Sequence, residues 1–171
     1  MNRPNHARAS AGRVAIAGGV LTLALGLLTA CGPSPAGSGG LVGRMTATSD
    51  VGGVSGGDPV SGGGLAILPI AVMDGLFWQQ TKVEPKADRQ EWDFLAVTLS
   101  ESDVSELGGT VSPIEEDGDF RITAPPGEYA ICYWPQRIGG GISGCAGLEL
   151  PREGELAAYW GEAGFHIAVK G

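Results

Sequence analysis

The stretch "DGDFRITAPPGEYAICYW", residues 117–134, constrains the fold of this chain more than any other segment. In "FRITA" the apolar residues Phe120, Ile122 and Ala124 fall at every second position, and "EYAICYW" alternates in the same way. A repeat of two is the side-chain period of a β-strand. Pro-Pro-Gly lies between the two runs, and these residue types favour a chain reversal. The stretch therefore predicts two strands joined as a hairpin, and the second strand, apolar on both faces, should be central in its sheet.

The rest of the chain also has strand and turn character, with little helix. "LAILPIAVM", residues 65–73, predicts a strand that is buried on both faces or that crosses between layers. This strand should bend or reach an edge at Pro69. Residues 41–50 alternate loosely, as an edge strand does. "SESDVSELGG" predicts one short helix capped by Ser100. The polar residues 79–91 predict a solvated loop or a short helix outside the core.

The strand pattern indicates the fold class and the domain count. About seven short strands, with residues 92–99 among them, are separated by frequent glycine turns, which is typical of an all-β sandwich. We expect one domain over residues 41–171, because this length can bury one core but is short for two.

The N-terminus has the features of an exported, lipid-anchored protein. Residues 1–30 combine three arginines, no acidic residue and a long apolar run, as in a secretory leader. The run ends in "LLTACG", which resembles the lipobox of bacterial lipoproteins, in which the cysteine, here Cys31, becomes the acylated N-terminus. More than one acyl chain on one residue anchors a protein stably. The alternative is an uncleaved anchor helix. Residues 31–40, rich in Gly, Ser and Pro, predict a flexible tether.

The charge of the chain restricts its partners. The whole sequence carries a net charge of −8, and all 19 acidic residues follow the leader, which holds three of the 11 basic ones. Such an acidic domain is repelled by nucleic acid and by anionic lipid. We therefore expect the lipid on Cys31, rather than surface charge, to provide the membrane contact, and we expect no nucleic-acid partner.

Two further cysteines, Cys132 and Cys145, predict a disulfide. Exported proteins reside where disulfides persist. A bridge between these positions would close a loop of about 14 residues, worth roughly 3 kcal/mol in the chain-entropy model. Two free buried thiols are the alternative. A metal site is less favoured, because no second Cys or His lies nearby to complete a ligand set.

Two motifs in this order carry a resemblance to a known family. "GGDPVSGGGLAILP" is similar to the opening of carboxypeptidase regulatory-like and Cna-B-type domains, and "EEDGDFRITAPPGEYAICY" resembles their second motif. The resemblance implies a prealbumin-like (transthyretin-like) sandwich of about seven strands, with one short helix in an insertion. The insertion is needed because Ile70 and Phe120 are 50 positions apart. The Lys–Asn crosslink of some family members is excluded, since no Asn follows the leader; a Lys–Asp variant stays possible.

Candidate catalytic groups are few. His166 is the only histidine after the leader, and no serine has a nucleophile-elbow context, so we interpret it as an exposed strand residue. The acidic turn at residues 115–119 has oxygen ligands for Ca²⁺ but lacks the spacing of an EF-hand loop. We expect no catalytic residue, no metal and no cofactor.

The aromatic residues are the best candidates for recognition. Trp134 and Trp160 each lie next to a Pro or Gly turn, where exposed rings could contact a sugar or a protein. The sequence thus predicts a lipid-anchored, non-catalytic binding or structural module on the extracytoplasmic face of a bacterial membrane, contacting an unknown envelope protein or glycan. The alternative is a cell-wall glycan hydrolase that uses a carboxylate pair.

Overall fold

The computed structural model describes residues 40–50, 54–135, 140–151 and 153–171. The predicted leader at residues 1–30, Cys31 and the tether up to residue 39 lie outside the described residues.

The described chain is predominantly β, as the strand pattern predicts. It contains ten strands, of which two have only two residues each. In chain order these are β1 (Leu41–Ala47), β2 (Gly64–Pro69), β3 (Ala96–Val97), β4 (Thr110–Pro113), β5 (Asp119–Ile122), β6 (Gly127–Trp134), β7 (Ile142–Ser143), β8 (Cys145–Leu150), β9 (Glu155–Gly161) and β10 (Gly164–Val169).

Eight of the strands form two four-stranded sheets. The first sheet has the order β10-β9-β1-β5, and the second has the order β4-β2-β6-β8. The β1–β9 pair is parallel, and the other pairs in both sheets are antiparallel. The two short strands β3 and β7 form a small antiparallel pair of their own. β1 is therefore central rather than an edge strand, because β9 and β5 pair with its two sides.

The two sheets share one hydrophobic core. The first sheet contributes Leu41, Met45, Phe120, Ile122, Leu156, Ala158, Phe165 and Ile167, and the second contributes Leu65, Ile67, Ile131, Tyr133 and Leu150. Tyr133 stacks on Phe165 across the gap between the sheets, with ring centroids 6.3 Å apart. Packing of two sheets on a common core defines a β-sandwich arrangement.

The predicted hairpin at residues 117–134 is wrong. β5 pairs with β1 in the first sheet, whereas β6 pairs with β2 and β8 in the second. The segment between them, residues 123–126, crosses from one sheet to the other. Phe120 and Ile122 face the shared core from one side, and Ile131 and Tyr133 face it from the other.

The sheet crossing is explained by the residues at its corner. Pro125 and Pro126 have restricted φ angles and no amide hydrogen, so they favour an extended arch over a tight two-residue hairpin turn. The Tyr129 hydroxyl donates a hydrogen bond to the Pro125 carbonyl oxygen at 3.0 Å. This back-bond, from the start of a strand to a residue just upstream, has the form of the tyrosine corner found in β-sandwiches.

The prediction that two strands are buried on both faces is confirmed. β6 lies between β2 and β8, and β2 lies between β4 and β6. The inward set of β6 is Ile131 and Tyr133, while Ala130 and Cys132 lie in a second core on the outer face of the same sheet. β2 ends at Pro69, which has no amide hydrogen to continue the ladder. The expected continuation of this strand to residue 73 is wrong, because Ile70–Asp74 forms a 3₁₀ helix.

Residues 70–109, between β2 and β4, form an insertion layer that covers this outer face. The layer contains β3 and four short helical segments. These are the 3₁₀ helix Ile70–Asp74, α1 (Leu76–Thr81), the 3₁₀ helix Arg89–Phe94 and α2 (Glu101–Glu106). The expected strand at residues 92–99 is reduced to the two residues of β3, because residues 92–94 belong to the second 3₁₀ helix. Trp92, Leu95, Val97 and Leu99 pack in the second core.

The predicted short helix with a Ser100 cap is confirmed as α2. The Ser100 hydroxyl accepts a hydrogen bond from the Asp103 amide at 3.1 Å, and the Asp103 carboxylate accepts one from the Ser100 amide at 2.7 Å. This reciprocal pair is a capping box. The bonds from Ser100 lower the pKa of Asp103. Gly108, with a φ of 73°, follows the helix as the predicted stop.

Candidate functional site

The insertion layer contains a cleft with a volume of about 460 Å³. This volume falls within the range of small-ligand pockets, about 300–1,000 Å³. The residues that line it come from the two 3₁₀ helices, from α1 and from the segment between α1 and the second 3₁₀ helix. They are Ile70, Met73, Asp74, Trp78, Pro85, Lys86, Ala87, Arg89 and Trp92.

Two tryptophans hold the walls of the cleft in place. The Trp78 indole N–H donates to the Met73 carbonyl oxygen, and the Trp92 indole N–H donates to the Lys86 carbonyl oxygen at 3.0 Å. Their ring centroids are 6.5 Å apart and tilted at 57°. Both side chains are almost fully buried, at 4% and 5% exposure. The tryptophans therefore pin the two sides of the cleft to the second core.

The rim of the cleft carries both signs of charge. Lys86 forms an ion pair with Glu91 at 3.0 Å, and this contact raises the pKa of Lys86. Arg89 lies 5.8 Å from the centroid of the Trp92 ring and 3.8 Å from the Glu128 carboxylate. The Arg89 side chain lies against Gly147, where a Cβ would be 3.3 Å from a guanidinium nitrogen.

Trp134 and Trp160, the aromatics predicted for recognition, do not form a common platform. Both are partly buried. Trp134 packs against the outer core under the insertion layer, whereas Trp160 packs against the core between the sheets. The Trp160 ring meets Tyr133 edge-on, with centroids 5.1 Å apart. Each ring therefore has packing contacts that account for much of its surface.

Cys132 and Cys145 are joined as predicted, with their sulfur atoms 2.08 Å apart. The two residues lie directly opposite each other in the β6–β8 ladder, and both are fully buried in the outer core. The predicted lipidation site Cys31 lies outside the described residues.

His166 lies on the exposed face of the first sheet, as the sequence predicts. One ring nitrogen, Nε2, is 2.9 Å from the Ala163 carbonyl oxygen, and Nδ1 is 3.6 Å from the Asp93 carboxylate. Partial burial raises the pKa of Asp93, and this effect outweighs the lowering by His166. The pair links the last strand to the insertion layer.

A recess of about 250 Å³ on the first sheet bears on the hydrolase alternative, because two carboxylates, Asp119 and Glu155, line it. Arg44 donates to Asp119 at 2.7 Å, and Lys170 donates to Glu155. The Arg44 bond lowers the pKa of Asp119. A glycosidase acid needs a raised pKa so that it keeps its proton near neutral pH. The electrostatics of Asp119 are the opposite of that requirement.

The lowered pKa of Asp119 makes the stability of the folded state depend on pH. The contact with Arg44 favours the folded state above the ordinary aspartate pKa of about 4. That contribution is lost as the pH falls through the lower folded-state value.

The acidic turn at residues 115–119 is organised by its own backbone. Asp117 accepts a hydrogen bond from the Asp119 amide at 3.1 Å, and Gly118 has a φ of 83°. A Cβ at Gly118 would lie 2.6 Å from the Met45 carbonyl oxygen, so only glycine fits the close approach to β1. Within the described ranges, no group of three or more Cys, His, Asp or Glu side chains is placed to hold a metal ion.

Comparison with known proteins adds no relative: no protein family, no curated protein and no solved structure matches this chain. In the part of the chain that the structure describes, none of the helices has the length and apolarity required to cross a membrane.

Sequence reasoning missed the cleft, although a signal for it was present. Trp78 and Trp92 flank the polar segment 79–91, and large aromatic side chains usually bury most of their surface in a core or an interface. The same segment supplies the charged rim, through Lys86 and Arg89.

Proposed function

We propose that this protein is a lipid-anchored bacterial envelope protein whose β-sandwich is a non-catalytic binding module. Its contact site is the cleft in the insertion layer, and its target is an envelope protein or glycan. The cleft carries this proposal, because it combines a suitable volume, two rigid tryptophan walls and a charged rim on an element that is not needed to close the sandwich.

The prealbumin-like fold is part of the same proposal. Support comes from the eight strands in two face-packed sheets, close to the seven or so that the family resemblance implies. The strand of the first motif is β2, and the second motif spans β5 and β6. The residues between the motifs form a separate layer outside the two sheets. The long gap between the motifs is therefore compatible with a family member that carries an insertion.

The anchor is tested by mass spectrometry of the mature, membrane-bound protein. We expect the N-terminal residue to be Cys31 bearing acyl chains, because two or more chains are needed for stable anchoring. A Cys31→Ala variant serves as the control and should lose the acylated N-terminal species. Detection of peptides from before Cys31 in the membrane-bound form would overturn the lipoprotein proposal.

The contact site is tested by photo-crosslinking of the full chain in intact cells. Ala87 is exposed and lines the cleft, whereas Ala163 is an exposed turn residue that does not line it. A photoreactive phenylalanine analogue at position 87 is expected to form adducts with an envelope component at several times the yield of the same analogue at position 163. Equal yields, or no adducts at either position, would contradict a contact through the cleft.

A further inference from the structure

The rim and walls of the cleft restrict the chemistry of its occupant. An anionic group would need a free cation, but Lys86 is paired with Glu91 and Arg89 is held between Glu128 and the Trp92 ring. The surrounding layer is also acidic. Residues 70–109 contain three basic residues and eight acidic ones, namely Asp74, Glu84, Asp88, Glu91, Asp93, Glu101, Asp103 and Glu106. Since Lys86 and Arg89 are each offset by a neighbouring carboxylate, the net negative charge of the layer disfavours an anionic ligand.

A saccharide is also disfavoured by the geometry of the tryptophans. Sugar rings stack on open aromatic faces, yet the Trp78 and Trp92 side chains are only 4% and 5% exposed. Both indole N–H groups are already used, on the Met73 and Lys86 carbonyl oxygens, so they cannot donate to sugar hydroxyls. The apolar lining that stays accessible comes from Ile70, Pro85 and Ala87.

A basic side chain matches both parts of the cleft. Lysine and arginine have an apolar stem and a charged head, so the stem can lie along Ile70 and Pro85 while the head stays at the rim. Asp74 lies at that rim with an exposed carboxylate. No described residue forms an ion pair or hydrogen bond with that carboxylate. It is therefore available to pair with an incoming cation.

We propose that the cleft receives a lysine or arginine side chain from a basic segment of a partner protein, with Asp74 as its counter-ion. The proposal rests on the proposed function and specifies the chemistry of the partner. Without the leader the chain carries eight basic and 19 acidic residues, and this net charge of −11 would steer such a segment toward the protein, while salt would weaken the attraction.

The test is a tryptophan fluorescence titration of the purified full chain in detergent micelles. The probe is a capped tetrapeptide that alternates lysine and leucine. A glutamate–leucine tetrapeptide and a tetramer of N-acetylglucosamine are the comparison ligands. We expect saturable, salt-sensitive binding of the lysine peptide. The Asp74→Asn variant should weaken it by about fivefold, the size expected of a partly screened ion pair, and Asp74→Lys should weaken it further.

The matched control is Asp58→Asn, an exposed acid that does not line the cleft, and it should leave binding unchanged. Equal or tighter binding of the glutamate peptide, binding of the sugar alone, or unaltered binding by Asp74→Asn would overturn the cationic occupant. The Ala87→Trp variant, which places a large side chain in the lining of the cleft, distinguishes failure of the cationic occupant from failure of the cleft as a contact site. If it abolishes binding of a ligand that Asp74→Asn leaves unaffected, the cleft is a site for another chemistry. If it changes the binding of none of the three ligands, both proposals fail.

Discussion

Replacing both Cys132 and Cys145 with alanine is expected to lower the free energy of unfolding by about 3 kcal/mol, as the chain-entropy model gives for a loop of this length. The cysteines face each other in the β6–β8 ladder, whose pairing continues on through Ile131 and Ala146. The folded state can therefore keep its sheet without the bond. The effect comes chiefly from the unfolded chain, which gains freedom when the crosslink is removed.

The measurement is urea unfolding of the oxidised protein and the double variant, followed by tryptophan fluorescence and by circular dichroism. A loss of about 3 kcal/mol is a large share of the 5–15 kcal/mol that usually stabilises a domain. The wild-type chain with its disulfide reduced is the internal control: it lacks the crosslink but keeps both buried sulfur atoms, so its loss of stability measures the crosslink alone. A loss below about 1 kcal/mol, far under the value from loop closure, would contradict the prediction.

Truncating Phe165 to alanine is expected to cost about 3–5 kcal/mol, the range for a large aromatic residue removed from a core. Phe165 is fully buried on β10 of the first sheet, and its ring stacks on Tyr133 of the second sheet. The substitution removes a direct contact between the two sheets and leaves a cavity between them. Backbone atoms at β10 and β6 are held by their own ladders, so the cavity can collapse only in part.

The control for Phe165 is Val169→Ala on the same strand. Val169 is 40% exposed, so its truncation should change the free energy of unfolding by less than about 0.5 kcal/mol. Both variants can be compared by thermal and urea unfolding. Similar losses for the two would show that the gap between the sheets does not hold the principal core.

The alternation in residues 117–134 illustrates how much of the fold could be predicted. It correctly assigned Phe120 and Ile122 to one buried face, and it correctly placed Ile131 and Cys132 on two different buried faces. It did not reveal that β5 and β6 belong to different sheets. Alternation at every second residue shows which side chains of a strand share a face. The alternation is the same whether two successive strands pair with each other or lie in different sheets.

The candidate site was less predictable than the fold. The cleft depends on contacts between residues far apart in sequence, such as the approach of Arg89 to Gly147 and Glu128. Trp134 and Trp160 were predicted to be exposed for recognition because they lie beside turns, but packing against the two cores covers part of each ring. Trp78 and Trp92 are less conspicuous in sequence, and only the folding of the insertion onto the second sheet makes them walls of a cleft.

What the sequence determined by itself is local: the strand periodicity, an interruption at Pro69, the Ser100 capping box and the prediction of a Cys132–Cys145 disulfide. The first three depend on residues within a few positions of one another. The disulfide depends on the fact that Cys132 and Cys145 are the only cysteines after Cys31. The tertiary structure alone decided the sheet to which each strand belongs, the central place of β1 and the position of the insertion over the second sheet. These choices depend on which apolar faces bury each other across long sequence separations, and many pairings satisfy the same local pattern until the whole core is packed.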